Sequence, residues 1–337
     1  MRTGFLTLTI TCFLLAFCVV ILGAYVRLSD AGLGCPDWPG CYGRMVVTEE
    51  LQAAATQQEY QSRPFNRDKA VKEMAHRYAA GALGMLVLLL ALLSWRRGHG
   101  DRVPCSILLC LVALQALLGM WTVTELLKPL IVVAHLLGGM MILGLLYWII
   151  LRNTPRNSPG PGVAPGVDKL ALAGLVVLAA QMFSGGWTSA NYAALACPEF
   201  PACRDGSWWP DTDFREGFTV WRDGRLDYEG GILDAPARTA IHLAHRVGAA
   251  LTFLVLLYVA LRAFGRGGRV LRLHAAILLC LLCLQASLGI ANVMLRLPLP
   301  VAVAHNSVAA LLMLSLLTLY RYARVEQAKL LFHGFRE

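Results

Sequence analysis

Charge is what this chain has least of. Lysine, arginine, aspartate and glutamate make up 15% of its 337 residues, against about a quarter in soluble globular domains. Hydrophobic residues reach 57% and mean hydropathy is +0.57, which excludes an ordinary soluble fold. Apolar stretches long enough to cross a hydrocarbon core, about 20 residues each, run near 4–27, 74–95, 104–126, 129–151, 169–189, 238–261, 271–293 and 299–320. A small-x-small cleavage site is missing before Tyr25-Val26-Arg27, so the first stretch reads as an uncleaved span and not as a removed signal peptide. The expected fold is an all-α integral membrane protein with eight transmembrane helices.

The net charge of +9 would suit a nucleic-acid partner if it were gathered on one surface. It is instead dispersed among short connections: Arg96, Arg97 and Arg102; Arg152, Arg156 and Lys169; Arg262, Arg266, Arg269 and Arg272; and Arg321, Arg324 and Lys329 after the last span. If the helices alternate, all of these fall on one side, as expected of the cytoplasmic face of a bacterial-type plasma membrane. Both termini are then cytoplasmic, and the long loops near 28–72 and 190–236 lie outside. The basic excess is a topology signal, with the lipid bilayer as partner and no nucleic acid.

The chain also repeats itself. CPDWPGC at Cys35–Cys41 returns as CPEFPAC at Cys197–Cys203, Ala75-His76-Arg77 returns as Ala244-His245-Arg246, and Cys110, Gln115, Gly119 and His135 return as Cys280, Gln285, Gly289 and His305. The offsets are 162, 169 and 170 residues. Residues 153–167, rich in Pro and Gly, read as a cytoplasmic linker between halves at 1–152 and 168–321, with a cytoplasmic tail at 322–337. An even number of spans per half gives a parallel repeat, two pseudo-symmetric four-helix bundles related by an axis along the membrane normal. Residues 46–62 have the composition of a short interfacial helix.

Cys35/Cys41 and Cys197/Cys203 sit in the outside loops, an oxidising compartment, where loop disulfides are expected; a redox-active pair is the rival reading. Cys12, Cys18, Cys105, Cys110, Cys280 and Cys283 lie in apolar spans and read as small hydrophobes.

The eight histidines divide sharply. His99, His274 and His333 accompany the inside arginines, as solvated or interfacial residues would. His76, His135, His245 and His305 are related by the repeat, and each half supplies one from its second helix and one from its fourth. Bundle cofactor sites are built from facing helices in this way. A single intramembrane histidine is commonly a hydrogen bond between helices, but a duplicated pair points to metal or haem ligation. Structural zinc wants four N/S ligands, whereas two histidines flanked by Gly81, Gly84, Gly138, Gly139 and Gly248 suit a flat macrocycle held from both sides. Those glycines also read as plain helix contacts. Arg77 and Arg246 are candidates for pairing with propionates, with snorkelling to the membrane edge as the alternative. Glu73, three residues before His76, is a candidate acid or base or a first-turn residue favoured by the helix dipole. Its counterpart in the second half is His242.

GAYVRLSDAGLGCPDWPGC in the first loop, Glu73-x-x-His76-Arg77 opening helix two, His245-Arg246 in helix six, and single histidines in helices four and eight together resemble the haem A synthase family over residues 20–310. That resemblance implies oxidation of the peripheral methyl of haem O to a formyl group by two successive hydroxylations, giving haem A for terminal oxidases. It implies a haem b cofactor on His245 and His305, a substrate haem on His76 and His135, Glu73 near the chemistry, and Cys35–Cys41 as a disulfide near that site. The implied partners are haem O, an electron acceptor, haem O synthase and oxidase assembly factors, with a homo-oligomer among the possible assemblies. His242 is read as a propionate partner or an alternative ligand. The rival functions are a dihaem b-type electron carrier or quinol oxidoreductase, and a transporter of a haem-like solute, which would want a broken helix or a midplane charge that no run here contains.

Overall fold

A computed structural model describes residues 2–48, 65–97, 101–154, 166–224 and 226–333. Among them are eight long helices: α1 (Arg2–Leu28), α2 (Arg67–Arg97), α3 (Arg102–Thr124), α4 (Pro129–Asn153), α5 (Val167–Ala190), α6 (Ala235–Arg266), α7 (Arg269–Met294) and α8 (Leu299–His333). All eight are long and apolar enough to cross a membrane, and the described residues form no strand. Residues 49–62 of the expected interfacial helix, His99 and most of the linker lie outside the described residues.

Helix ends depart from the apolar runs where polar residues extend them. α2 begins at Arg67 and not near 74, because the Asn66 side chain accepts the Lys69 amide at 3.1 Å and so caps a polar first turn. α6 opens on Asp234, whose carboxylate accepts the Ala237 amide at 3.0 Å, with Pro236 in the first turn, where a missing N–H costs nothing. α8 continues past residue 320 to His333, since Ala, Glu, Gln, Lys and Leu there all favour helix.

The pattern of contacts in the first half of the chain recurs in the second. α1 packs on α2 and α4, and α3 on the same two; α5 packs on α6 and α8, and α7 on the same two. Contacts of α4 with α5 and α8, and of α1 with α8, join the halves. The two tight turns match as well. Leu126 and Leu127 (φ 51° and 61°) between α3 and α4, and Arg296 and Leu297 (φ 58° and 62°) between α7 and α8, are consecutive left-handed residues. In both, the second returns its amide to the preceding helix, Leu127 to the Thr122 carbonyl and Leu297 to the Asn292 carbonyl, which satisfies carbonyls the helix end would orphan. The main apolar core runs through all eight helices, with Leu90, Leu108, Leu143, Leu146, Leu256 and Leu316 sealed from solvent. Of the six span cysteines, only Cys12 and Cys105 are buried; Cys18, Cys110, Cys280 and Cys283 are exposed on the outer surface.

Candidate functional site

Both loop cysteine pairs are disulfide-bonded, Cys35 to Cys41 and Cys197 to Cys203. Each disulfide loop closes on a tight turn whose two amides point at one carboxylate. Asp37 accepts from Tyr42 and Gly43 at 2.6 and 2.8 Å; Glu199 accepts from Asp205 and Gly206 at 3.0 and 3.1 Å. The first loop presses on α2, and a Cβ on Gly34 would stand 2.6 Å from the Lys69 carbonyl carbon, so only glycine fits there.

That contact delivers the Cys35 amide to α2, where the Glu73 carboxylate accepts it at 2.8 Å. In the other half the Cys197 amide donates to His242 Nδ1 at 3.1 Å. Glu73 and His242 are both buried. His242 thus has a definite place: it accepts a loop amide through Nδ1, which puts its ring proton on Nε2. The arginines that follow are similarly matched. Arg77 donates to the carbonyls of Asp37 and Pro39 at 2.9 and 3.3 Å and also to Gly40, and it pairs with Glu73. Arg246 donates to the carbonyls of Ala202, Cys197 and Glu199 at 3.0, 2.8 and 2.7 Å. Both guanidiniums are directed onto the disulfide loops, which they tie to α2 and α6.

The four repeat-related histidines stand deeper. His76 and His245 lie between two and three turns into α2 and α6, and His135 and His305 nearly two turns into α4 and α8, each counted from the end bearing the disulfide loops. Every one of these rings rests on a glycine of the preceding helix. A Cβ added at Gly23, Gly119, Gly185 or Gly289 would stand 3.0, 3.4, 3.2 or 3.2 Å from Cε1 of His76, His135, His245 or His305 respectively. A larger residue would push the imidazole aside, so the glycines on α1, α3, α5 and α7 set where the rings on α2, α4, α6 and α8 lie. The glycines singled out beside the histidines act differently. Gly138 and Gly248 receive the side-chain amides of Gln115 and Gln181, while Gly81 borders open space.

Glutamines complete the second pair. The Gln181 amide lies 3.0 Å from His245 Nδ1 and donates to the His245 carbonyl at 3.0 Å, with Ser184 Oγ 3.3 Å from the same ring nitrogen. Gln285 stands 3.2 Å from His305 Nε2. Nδ1 of His76 and His135 is buried without a partner, as are the second ring nitrogen of His305, Nδ1, and the Gln115 amide nitrogen. Buried ring nitrogens left bare are costly, and these have capacity for a ligand. The rings of His76 and His135 are 6.4 Å apart between centroids and nearly perpendicular, at 83°. A metal bonded to two imidazoles at about 2.0–2.1 Å each holds the ring centres roughly 6 Å apart, so the pair stands at the separation of two axial ligands. Among the described residues no group of three or more His, Cys, Asp or Glu could hold an ion, so each histidine pair offers two side-chain nitrogen donors at most. That donor set fits the axial positions of haem and not a closed zinc site.

The second long loop, residues 191–234 with one helical turn at Phe214–Gly217, leans across the first half. Tyr228 donates its amide to the Leu126 carbonyl at 3.1 Å and is buried against Leu33, Val123 and Leu127. Burial raises its phenol above the ordinary value. Glu229 pairs with Lys69 at 3.3 Å, and Lys128 sits over the Trp221 ring. Arg27 of α1 reaches back to the Ser189 carbonyl at 2.5 Å and to Tyr192.

A family model for COX15-CtaA, described as cytochrome oxidase assembly protein, matches residues 6–317. The chain belongs to that family. Among curated relatives of this COX15-CtaA member, the heme A synthase of Shewanella oneidensis is 43% identical over 303 residues, covering 89% of this chain and 91% of the relative. The heme A synthase of Shouchella clausii is 29% identical over 290 residues, 82% of each chain. That of Bacillus licheniformis is 26% identical over 323 residues, covering 92% and 94%.

The glycine seats and the Gln181 and Gln285 contacts were not read from the residues, although Gly119, Gly289 and Gln285 belong to the echoes. The signal that finds the rest is the offset itself: Gly23 and Gly185, like Asp37 and Glu199, are 162 residues apart.

Proposed function

We propose that the protein is a haem A synthase, an integral membrane oxidoreductase that takes the peripheral methyl of haem O to a formyl group. The observation that carries this reading is the duplicated histidine pair, each ring seated on a glycine, with the first pair at axial-ligand spacing. The family membership and the 43% identical relative support the same reaction.

In this reading residues 1–152 hold the substrate haem through His76 and His135, and residues 168–321 hold a haem b through His245 and His305. Gln181 and Ser184 orient His245, and Gln285 orients His305, so that ring tautomer and direction are set by the helices behind them. Glu73 lies one turn from His76 on α2, on the same side of the helix, and moves a proton through the carboxylate that the Cys35 amide and Arg77 hold in place. The termini are cytoplasmic and the disulfide loops outside, where the second long loop covers the substrate half and shields it from water. A haem b held by His245 and His305 would supply the one-electron chemistry that methyl oxidation requires, with an external acceptor taking up the electrons.

Haem extraction from membranes expressing the chain with a haem O source tests the assignment. A formyl-haem appears if the protein is the synthase. Unchanged haem O together with bound haem b would make it an electron carrier instead.

A further inference from the structure

Two lysines of the first half, Lys72 and Lys128, have no carboxylate partner among the described residues. Lys128 stands immediately before α4, seven residues ahead of His135, and only 5% of it is exposed. Its ammonium lies 3.3 Å from the centre of the Trp221 ring. Lys72 stands on α2, four residues ahead of His76, with its ammonium 5.3 Å from the Tyr25 ring centre. For Lys128, a buried charge without a counter-ion is expensive, and at the amino end of a helix the backbone dipole opposes a cation further; Lys72 is half-buried. An aromatic face offsets part of that cost. An anion would offset much more.

The position of these lysines identifies the anion. Residues four apart share a helix face, so Lys72 lies in line with His76, and Lys128 takes the cap position at the start of α4, two turns before His135; both stand nearer the disulfide-loop end. Lys72 is about 6 Å and Lys128 about 10 Å along the helix axis from its histidine, at 1.5 Å rise per residue. A flat ring held between His76 and His135 turns one edge toward that end, and a porphyrin's carboxylates extend from one edge. The arginines that stood as candidates for this role are directed instead onto the disulfide-loop carbonyls. At the matching positions of the second half stand Ile241 and Pro298, so the cation pair is peculiar to the first half.

We propose that Lys72 and Lys128 bind the two propionate carboxylates of the porphyrin substrate, and that Trp221 of the second long loop holds Lys128 in place for this. The proposal rests on the assignment of the substrate to the first half. It makes the carboxylate edge of the substrate a recognition element and the loop a part of the substrate site.

The test uses the full-length protein in detergent, carrying its haem b, titrated with haemin and with haemin dimethyl ester and followed in the Soret band. The wild type is expected to bind haemin about tenfold or more tightly than the ester, the loss expected for a charge-assisted contact. Lys72→Met and Lys128→Met are each expected to weaken haemin about tenfold and leave the ester unchanged, while Lys72→Arg and Lys128→Arg keep the preference. Equal affinity of the wild type for haemin and ester overturns the proposal. So does a Lys72→Met/Lys128→Met double variant that still prefers haemin, or methionine variants that lose both ligands alike. His76→Ala and His135→Ala separate the two levels. If they leave haemin uptake intact, the first-half site itself is wrong; if they abolish it and the lysine variants do not, only the lysine assignment fails.

Discussion

Glu73 and His242 do the same work in the two halves with different chemistry: the carboxylate accepts the amide of Cys35 and the imidazole accepts the amide of Cys197. Each ties a disulfide loop to the helix that carries a histidine one turn further in. Only the first can also carry negative charge against an arginine, and in the proposed function that difference distinguishes the substrate half from the haem b half.

Replacing Glu73 by Gln keeps an oxygen for the Cys35 amide and removes the acid. Haem content is expected to stay at the wild-type level while formyl-haem output falls by two or more orders of magnitude, the usual range for a lost acid or base. Haem extraction with chromatography reads both, and undiminished formyl-haem would remove Glu73 from the chemistry.

His242→Ala leaves the buried Cys197 amide without an acceptor, at a cost of about 1–3 kcal/mol. The expected result is a lower Tm with haem b retained and its spectrum unchanged. If this variant instead strips the haem, His242 is an iron ligand.

The glycine seats predict a steric series. Gly185→Val and Gly289→Val crowd Cε1 of His245 and His305 and are expected to lower haem b content and disturb its low-spin absorption bands. Gly23→Val and Gly119→Val are expected to spare haem b and reduce haem O conversion. Gly81→Ala, with open space at the added methyl, serves as the control and should match the wild type on both measures.

Arg246 donates to three carbonyls of the second disulfide loop, and Arg77 does the same for the first. Arg246→Ala is therefore expected to speed reduction of Cys197–Cys203 by mild thiol, measured by alkylation and mass spectrometry, while Cys35–Cys41 keeps its wild-type rate. A wild-type rate at Cys197–Cys203 in this variant would show that the guanidinium does not hold its loop.

The parts of this protein written in side-chain type were legible in its sequence. Apolar run length marks all eight helices, because a bilayer demands it, and the repeated Cys and His positions stand out against a greasy background. What escaped depends on the chain folding back on itself. Nothing in Glu73 or His242 announces a shared backbone donor, since an amide has no residue identity. The loop carbonyls that accept from Arg77 and Arg246 carry no residue identity either. The polar start of α2 lies outside the apolar run and is set by Asn66, and the seats for the histidines lie on the preceding helices, too far along the sequence for any local pattern to link them.

Pigment composition decides whether four imidazoles hold two haems for this reaction. Membranes carrying the wild type and the four single variants His76→Ala, His135→Ala, His245→Ala and His305→Ala, all supplied with haem O, are extracted and chromatographed. Haem A in the wild type, haem b kept with haem O left unconverted in the first two variants, and loss of haem b in the last two is the expected outcome. Haem A produced undiminished by His76→Ala and His135→Ala, or a full Soret band in protein lacking all four histidines, would contradict it.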